Sequence, residues 1–229
     1  MAFESKTFIT PTRPISSPEL ACCRASEFRN LLEVGVVFGL ILVAVWTPQG
    51  HLNTAVSLAA LFSTLVLTIA SSYSVGELGL TRPLNGALVI LLSGVLLLLT
   101  VVAIGVFARS LGPPQPVPWH RAWQYAIWAL LQEFILQSFM YVRLESVFGS
   151  RQALFLASGL FALAHLPSPL LTLLSLLGAV FFCSMFRRYR NIFPLGLVHA
   201  ALGLTIAGSL PDRLLHHMRV GIGYLMYHV

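Results

Sequence analysis

Seven apolar stretches, at about 31–47, 52–72, 84–108, 122–144, 153–166, 170–186 and 192–210, follow one another with short connectors between them. A helix rises 1.5 Å per residue, so about 20 such residues cross the hydrocarbon of a bilayer. Backbone amides in lipid must be satisfied within their own segment, which makes helices the spanning form for runs of this length. The sequence is therefore expected to fold as an all-α protein, a polytopic transmembrane bundle of about seven helices. Of its 229 residues, 57% are hydrophobic and 10% are charged, where a soluble domain carries about a quarter charged. That balance excludes a disordered chain, a coiled coil and an ordinary soluble enzyme.

The expected organisation is an N-terminal arm over 1–30, a transmembrane domain over 31–210 and a C-terminal tail over 211–229. The net charge of +6 comes from basic residues scattered singly, without an aromatic-rich groove, so nucleic acid is not the expected partner. Alternating the loops puts Lys6, Arg13, Arg24, Arg29, Arg82, Arg143, Arg151, Arg187, Arg188 and Arg190 on one side, and Arg109, Arg121, Arg213 and Arg219 on the other. The positive-inside rule then places the N-terminus in the cytoplasm of a multi-pass cell-membrane protein. Cys22, Cys23 and Cys183 show no metal spacing and no disulfide framework. The prolines at 113, 114, 116 and 118 form a stiff extended connector. Window 153–166 gives about 21 Å of helix, short for a span. The turn Leu166-Pro-Ser-Pro169 ends it, and Pro194 reads as a residue of a helix's first turn.

Among the acidic residues, Glu133 alone is central in an apolar window; Glu33 is two residues into the first, and the others lie at ends or outside. An intramembrane carboxylate costs about 2.5–3.5 kcal/mol on insertion scales and is a functional candidate by default. Glu133, Gln137 and Tyr141 are spaced by four and share a helical face, with Gln132 about 100° around the axis. His165 and His199 also fall within or at the end of apolar helices, whereas His51, His120, His216, His217 and His228 lie in connectors or the tail. The tail pair with Met218 offers metal donors, but an interfacial segment is the default.

One glutamate and two histidines admit three chemistries. Glu133 can be general base on a water while His165 and His199 orient it and stabilise an oxyanion, which hydrolyses a peptide bond. The same set is the His2Glu ligand set of catalytic zinc sites. The two histidines can also be axial haem ligands. No cofactor is demanded; zinc is admissible but not required.

The stretches Gln132-Glu133-Phe-Ile-Leu-Gln137, Phe161-Ala-Leu-Ala-His165 and His199-Ala-Ala-Leu-Gly203 resemble, in order, the Glu-Glu-x-x-x-Arg, Phe-x-x-x-His and His-x-x-x-Asn motifs of the CPBP family. That family of intramembrane proteases includes the type II CAAX prenyl endopeptidases. The resemblance extends over about 77–208, beginning with the connector Glu77-Leu-Gly-Leu-Thr-Arg-Pro83. It implies Glu133, His165 and His199 as catalytic residues, Gln132, Gln137 and Phe161 as supporting ones, and no metal. It also implies a peptide substrate that is hydrophobic or lipidated and lies in membrane lipid. Gln132 stands where the family has its first glutamate, Gln137 where it has arginine and Gly203 where it has asparagine. An amide accepts no proton at neutral pH, so Glu133 is the expected base. The alternative is a non-catalytic member that keeps the cavity and binds such a peptide without turnover. A shared site further requires that the short helix ending near His165 be displaced toward the cytoplasm, so that both histidines lie at one depth.

Overall fold

The computed structural model describes residues 17–108 and 118–226. Lys6, Arg13, Arg109, His228, most of the proline connector and the thiols of Cys22 and Cys23 lie outside the described residues and side chains. Seven helical rods occupy the seven apolar windows: α1 (Ser17–Trp46), α2 (His51–Ile69), α3 (Ala87–Ala108), a composite rod, α6 (Ser150–Leu163), α7 (Pro169–Tyr189) and α8 (Ile192–Ser209). Among the described residues there is no β-strand. The chain is a polytopic all-α bundle, and α1 from Arg24 onward, α2, α3, α7 and α8 are each long and apolar enough to cross a membrane. α1 starts at Ser17, well ahead of the apolar window, so the segment expected as an arm is partly helix.

The composite rod consists of α4 (Trp119–Glu133), a π-helical segment (Phe134–Tyr141) and α5 (Val142–Phe148). In the π segment the hydrogen bonds skip one residue further than in an α-helix, as in the Val142 N–H bond to Gln137 O. The wider turn rotates everything beyond it, and the polar stripe expected along one α-helical face breaks there. Gln137 stays on Glu133, whereas Tyr141 turns away, shares its single O–H between Glu145 Oε1 and Ser150 O at 3.2 Å each, and packs edge-on against Phe186.

α8 lies between α3 and α4, while α6 pairs with α7 and α1 with α2. Small residues permit this approach: a Cβ on Gly94 would stand 2.5 Å from Val198, and one on Gly196 would stand 2.7 Å from Leu130. Asn191 starts α8 by accepting from Phe193 N–H, and its amide donates to Pro83 O and Asn85 O at 2.8 and 2.9 Å. The connector containing Glu77 is thereby fixed to the start of α8. Pro169 and Pro194 stand in the first turns of α7 and α8, where a missing N–H costs least.

One charge is not where its sequence position suggests. Arg143, counted among the loop cations, is fully buried: it donates to Glu33 Oε2 at 2.7 Å, Leu67 O at 2.9 Å and Phe139 O at 3.3 Å. The apolar run ends at Leu144 but the rod continues to Phe148, so Arg143 lies inside the bundle and needs internal partners.

Candidate active site

The rods border a half-open cavity of about 520 Å3 with a mostly apolar wall. Gln132, Phe161, His165 and His199 line it; Glu133 does not. On α4 the positions 125, 128 and 132 share one face, and Tyr125, Trp128 and Gln132 all reach the cavity. Glu133 is a third of a turn further round and fully buried. Its Oε1 lies 2.8 Å from His199 Nδ1, and its Oε2 accepts from Gln137 Nε2 at 3.2 Å. The carboxylate thus stands behind His199 rather than in the cavity, which is where the sequence reading had it meet a water directly.

α6 ends at Leu163, and His165 follows in the turn, its Nδ1 2.7 Å from Phe161 O. A main-chain carbonyl only accepts, so this nitrogen carries the hydrogen and Nε2 is left as acceptor. The same argument at Glu133 leaves Nε2 of His199 as the acceptor edge on the cavity side. Phe161 is 4.7 Å from the His165 ring and 6.0 Å from the His199 ring, centroid to centroid, so the two imidazoles flank one aromatic side chain. Phe182 of α7 stacks on His199 at 5.0 Å and 18°. The short helix therefore brings His165 to the same aromatic side chain that His199 meets.

Among the described residues no three of His, Cys, Asp and Glu are grouped as metal ligands. The His2Glu set is not assembled, because Glu133 is committed to the far side of His199. In the tail, His217 Nδ1 is 3.0 Å from Asp212 Oδ1, His216 packs edge-on to Tyr224, and Met218 lines the cavity.

Residues 114–205 match the family model described as type II CAAX prenyl endopeptidase Rce1-like. Over this segment the chain is similar to the Rce1-like family. This Rce1-like core contains all three motif stretches and excludes α1, α2 and α3. No curated protein and no solved structure matches the chain.

Sequence reasoning passed over three contributors to this candidate site. Tyr125 precedes Gln132 by seven residues, so helical spacing alone puts both on one face. Phe182 has no signal beyond its apolar helix. Cys183 is fully buried next to Ser158 and Gln137, a placement that depends on how α6 and α7 pack.

Proposed function

We propose that this protein hydrolyses a peptide bond of a membrane-associated substrate, prenylated or plain, with His199 as the base and Glu133 acting through it. The 2.8 Å contact between Glu133 Oε1 and His199 Nδ1, on a ring that lines the cavity, is the observation that supports this reading most. A carboxylate behind an imidazole fixes its tautomer and favours the imidazolium that forms when it takes a proton. Gln132 can hold a water by hydrogen bonding without needing to deprotonate it.

In this scheme a water donates one hydrogen to His199 Nε2 and the other to His165 Nε2, which turns an oxygen lone pair to the substrate. His199 removes a proton, the hydroxide oxygen bonds to the carbonyl carbon, and the C=O π pair moves onto oxygen. On collapse that pair returns, the C–N bond breaks and the proton on His199 passes to the leaving nitrogen. The products are a carboxylic acid and an amine. The low-dielectric cavity strengthens each of these electrostatic contacts. The bundle is placed in the cell membrane with the N-terminus cytoplasmic, in keeping with the excess of basic residues on that side.

The test is turnover of internally quenched peptides, farnesylated and plain, by purified protein in lipid vesicles, with a chelator in one arm. Cleavage is expected in both chelator arms and is expected to vanish in His199→Ala. A folded His199→Ala that cleaves as fast as the wild type would overturn the reading. One observation favours a second reading: among the described residues the cavity wall itself carries no carboxylate. In that case peptide is retained without turnover, as in a binding protein.

A further inference from the structure

We propose that the Tyr125 hydroxyl receives the substrate carbonyl oxygen, and that position 203 is glycine in order to make room for it. The inference rests on the hydrolase reading. With Nδ1 of each histidine committed to a protein acceptor, both rings offer only Nε2 lone pairs to the cavity before attack, and the proton that His199 then gains is held for the leaving nitrogen rather than the oxyanion. The chemistry therefore requires an O–H or N–H donor elsewhere on the wall.

Tyr125 meets that requirement by position and by isolation. A Cβ on Gly203 would stand 2.0 Å from its hydroxyl oxygen and 2.5 Å from the ring carbon that bears it, so the phenol occupies the space of the missing side chain. Gly203 follows His199 by four residues on α8, and so lies on the same face one turn further along. Tyr125 and Gly203 both line the cavity with the two histidines. No group among the described residues hydrogen-bonds the Tyr125 hydroxyl, although a partly buried phenol ordinarily finds a partner. The Gln132 amide is the other candidate, but Gln132 also borders a smaller recess of about 80 Å3 against α1. Tyr125 is the donor fixed against the helix that carries the base.

During attack the carbonyl π pair moves onto oxygen, and the Tyr125 O–H donates to that oxygen without releasing its proton. The bond lengthens again as the pair returns and the C–N bond breaks. No proton is exchanged through the phenol, so the pH profile remains that of the histidine base.

Tyr125→Phe keeps the ring and its packing on Gly203 and removes only the donor. With whichever quenched peptide the wild type cleaves, kcat is expected to fall about 10²–10³-fold while KM stays within about twofold. Gly203→Ala, whose methyl must push the phenol aside, is expected to lower kcat in the same direction. A peptide aldehyde, which adopts a tetrahedral hydrate, is expected to bind the wild type more tightly than the matching alcohol, and Tyr125→Phe is expected to lose that preference. Wild-type kcat in Tyr125→Phe with the aldehyde preference intact would overturn the inference and leave the hydrolase reading standing. Unfolding of Tyr125→Phe would mark the hydroxyl as structural and overturn it too. Absence of turnover in the wild type would overturn both.

Discussion

Glu33 and Glu133 each face a basic side chain on another rod of the same bundle, and the two pairs are finished differently. Around Glu33 the partner is Arg143, whose guanidinium also donates to two main-chain carbonyls and lies 3.9 Å over the Phe139 ring. Around Glu133 the partner is His199, which gives one nitrogen to the carboxylate and keeps the other edge toward a cavity. The first pair spends its hydrogen-bonding capacity on the protein and can only hold α1 and α2 to the composite rod. The second keeps one acceptor in reserve, and a reserved acceptor beside a cavity is what proton transfer requires. Burial of charge alone therefore does not identify a site; an unspent valence on the cavity side does.

That contrast is open to direct attack. The largest effect is expected from Glu133→Gln: kcat should drop on the order of 10⁴-fold, equivalent to about 5 kcal/mol in barrier, because an amide no longer fixes the His199 tautomer. The thermal midpoint should move little, since the amide retains the contact. Steady-state kinetics with a melting curve on the same preparation checks this, and an unchanged kcat would erase the distinction between the two pairs.

Arg143→Met should do the reverse, lowering stability by about 3 kcal/mol by leaving Glu33 with only the more distant and exposed Arg29 and by stripping the Leu67 carbonyl of its donor. Whatever protein remains folded should cleave at the wild-type rate per molecule. Active-site titration against total folded protein separates the two quantities.

Asn191→Ala removes a helix cap and two buried amide contacts, for an expected cost of about 2 kcal/mol. Denaturant unfolding of the reconstituted protein should show it, along with faster exchange of the connector amides. The smallest effect belongs to Glu77, held below the usual carboxylate range chiefly by hydrogen bonds from the Ser74 side chain and backbone. Its stabilisation is present above the ordinary glutamate range and is lost as pH falls through the lowered value. Because Glu77 is mostly exposed, Glu77→Gln should cost less than about 0.5 kcal/mol at neutral pH. The difference from wild type should close in acid.

The helices were legible because each obeys a local rule: apolar length, a proline in the first turn, a proline-rich stop. The association of Glu133, His165 and His199 was legible because lipid leaves such residues few places to go. Which of Gln132 and Glu133 faces the cavity was not, since helical spacing fixes the angle between neighbours but not the direction of either. The π segment was hidden for a related reason: its extra residue is accommodated by packing around Ser138, whose hydroxyl donates to Leu78 O at 2.6 Å. Arg143 was misplaced because a cation near the end of an apolar run looks the same whether it faces the interface or the bundle. Tyr125 was passed over because its meaning depends on Gly203, far along the chain.

The bond between Gln137 and Glu133 also bears on biosynthesis. Chain order delivers the composite rod to the membrane before α8 exists, so Glu133 arrives in lipid without His199. An amide four residues on, within its own helix, gives the carboxylate a partner at that stage and masks polarity that would otherwise oppose insertion. When α8 follows, His199 takes the other carboxylate oxygen and the amide keeps its place. Gln137 thus gives Glu133 a partner on its own rod, one that does not depend on the arrival of α8.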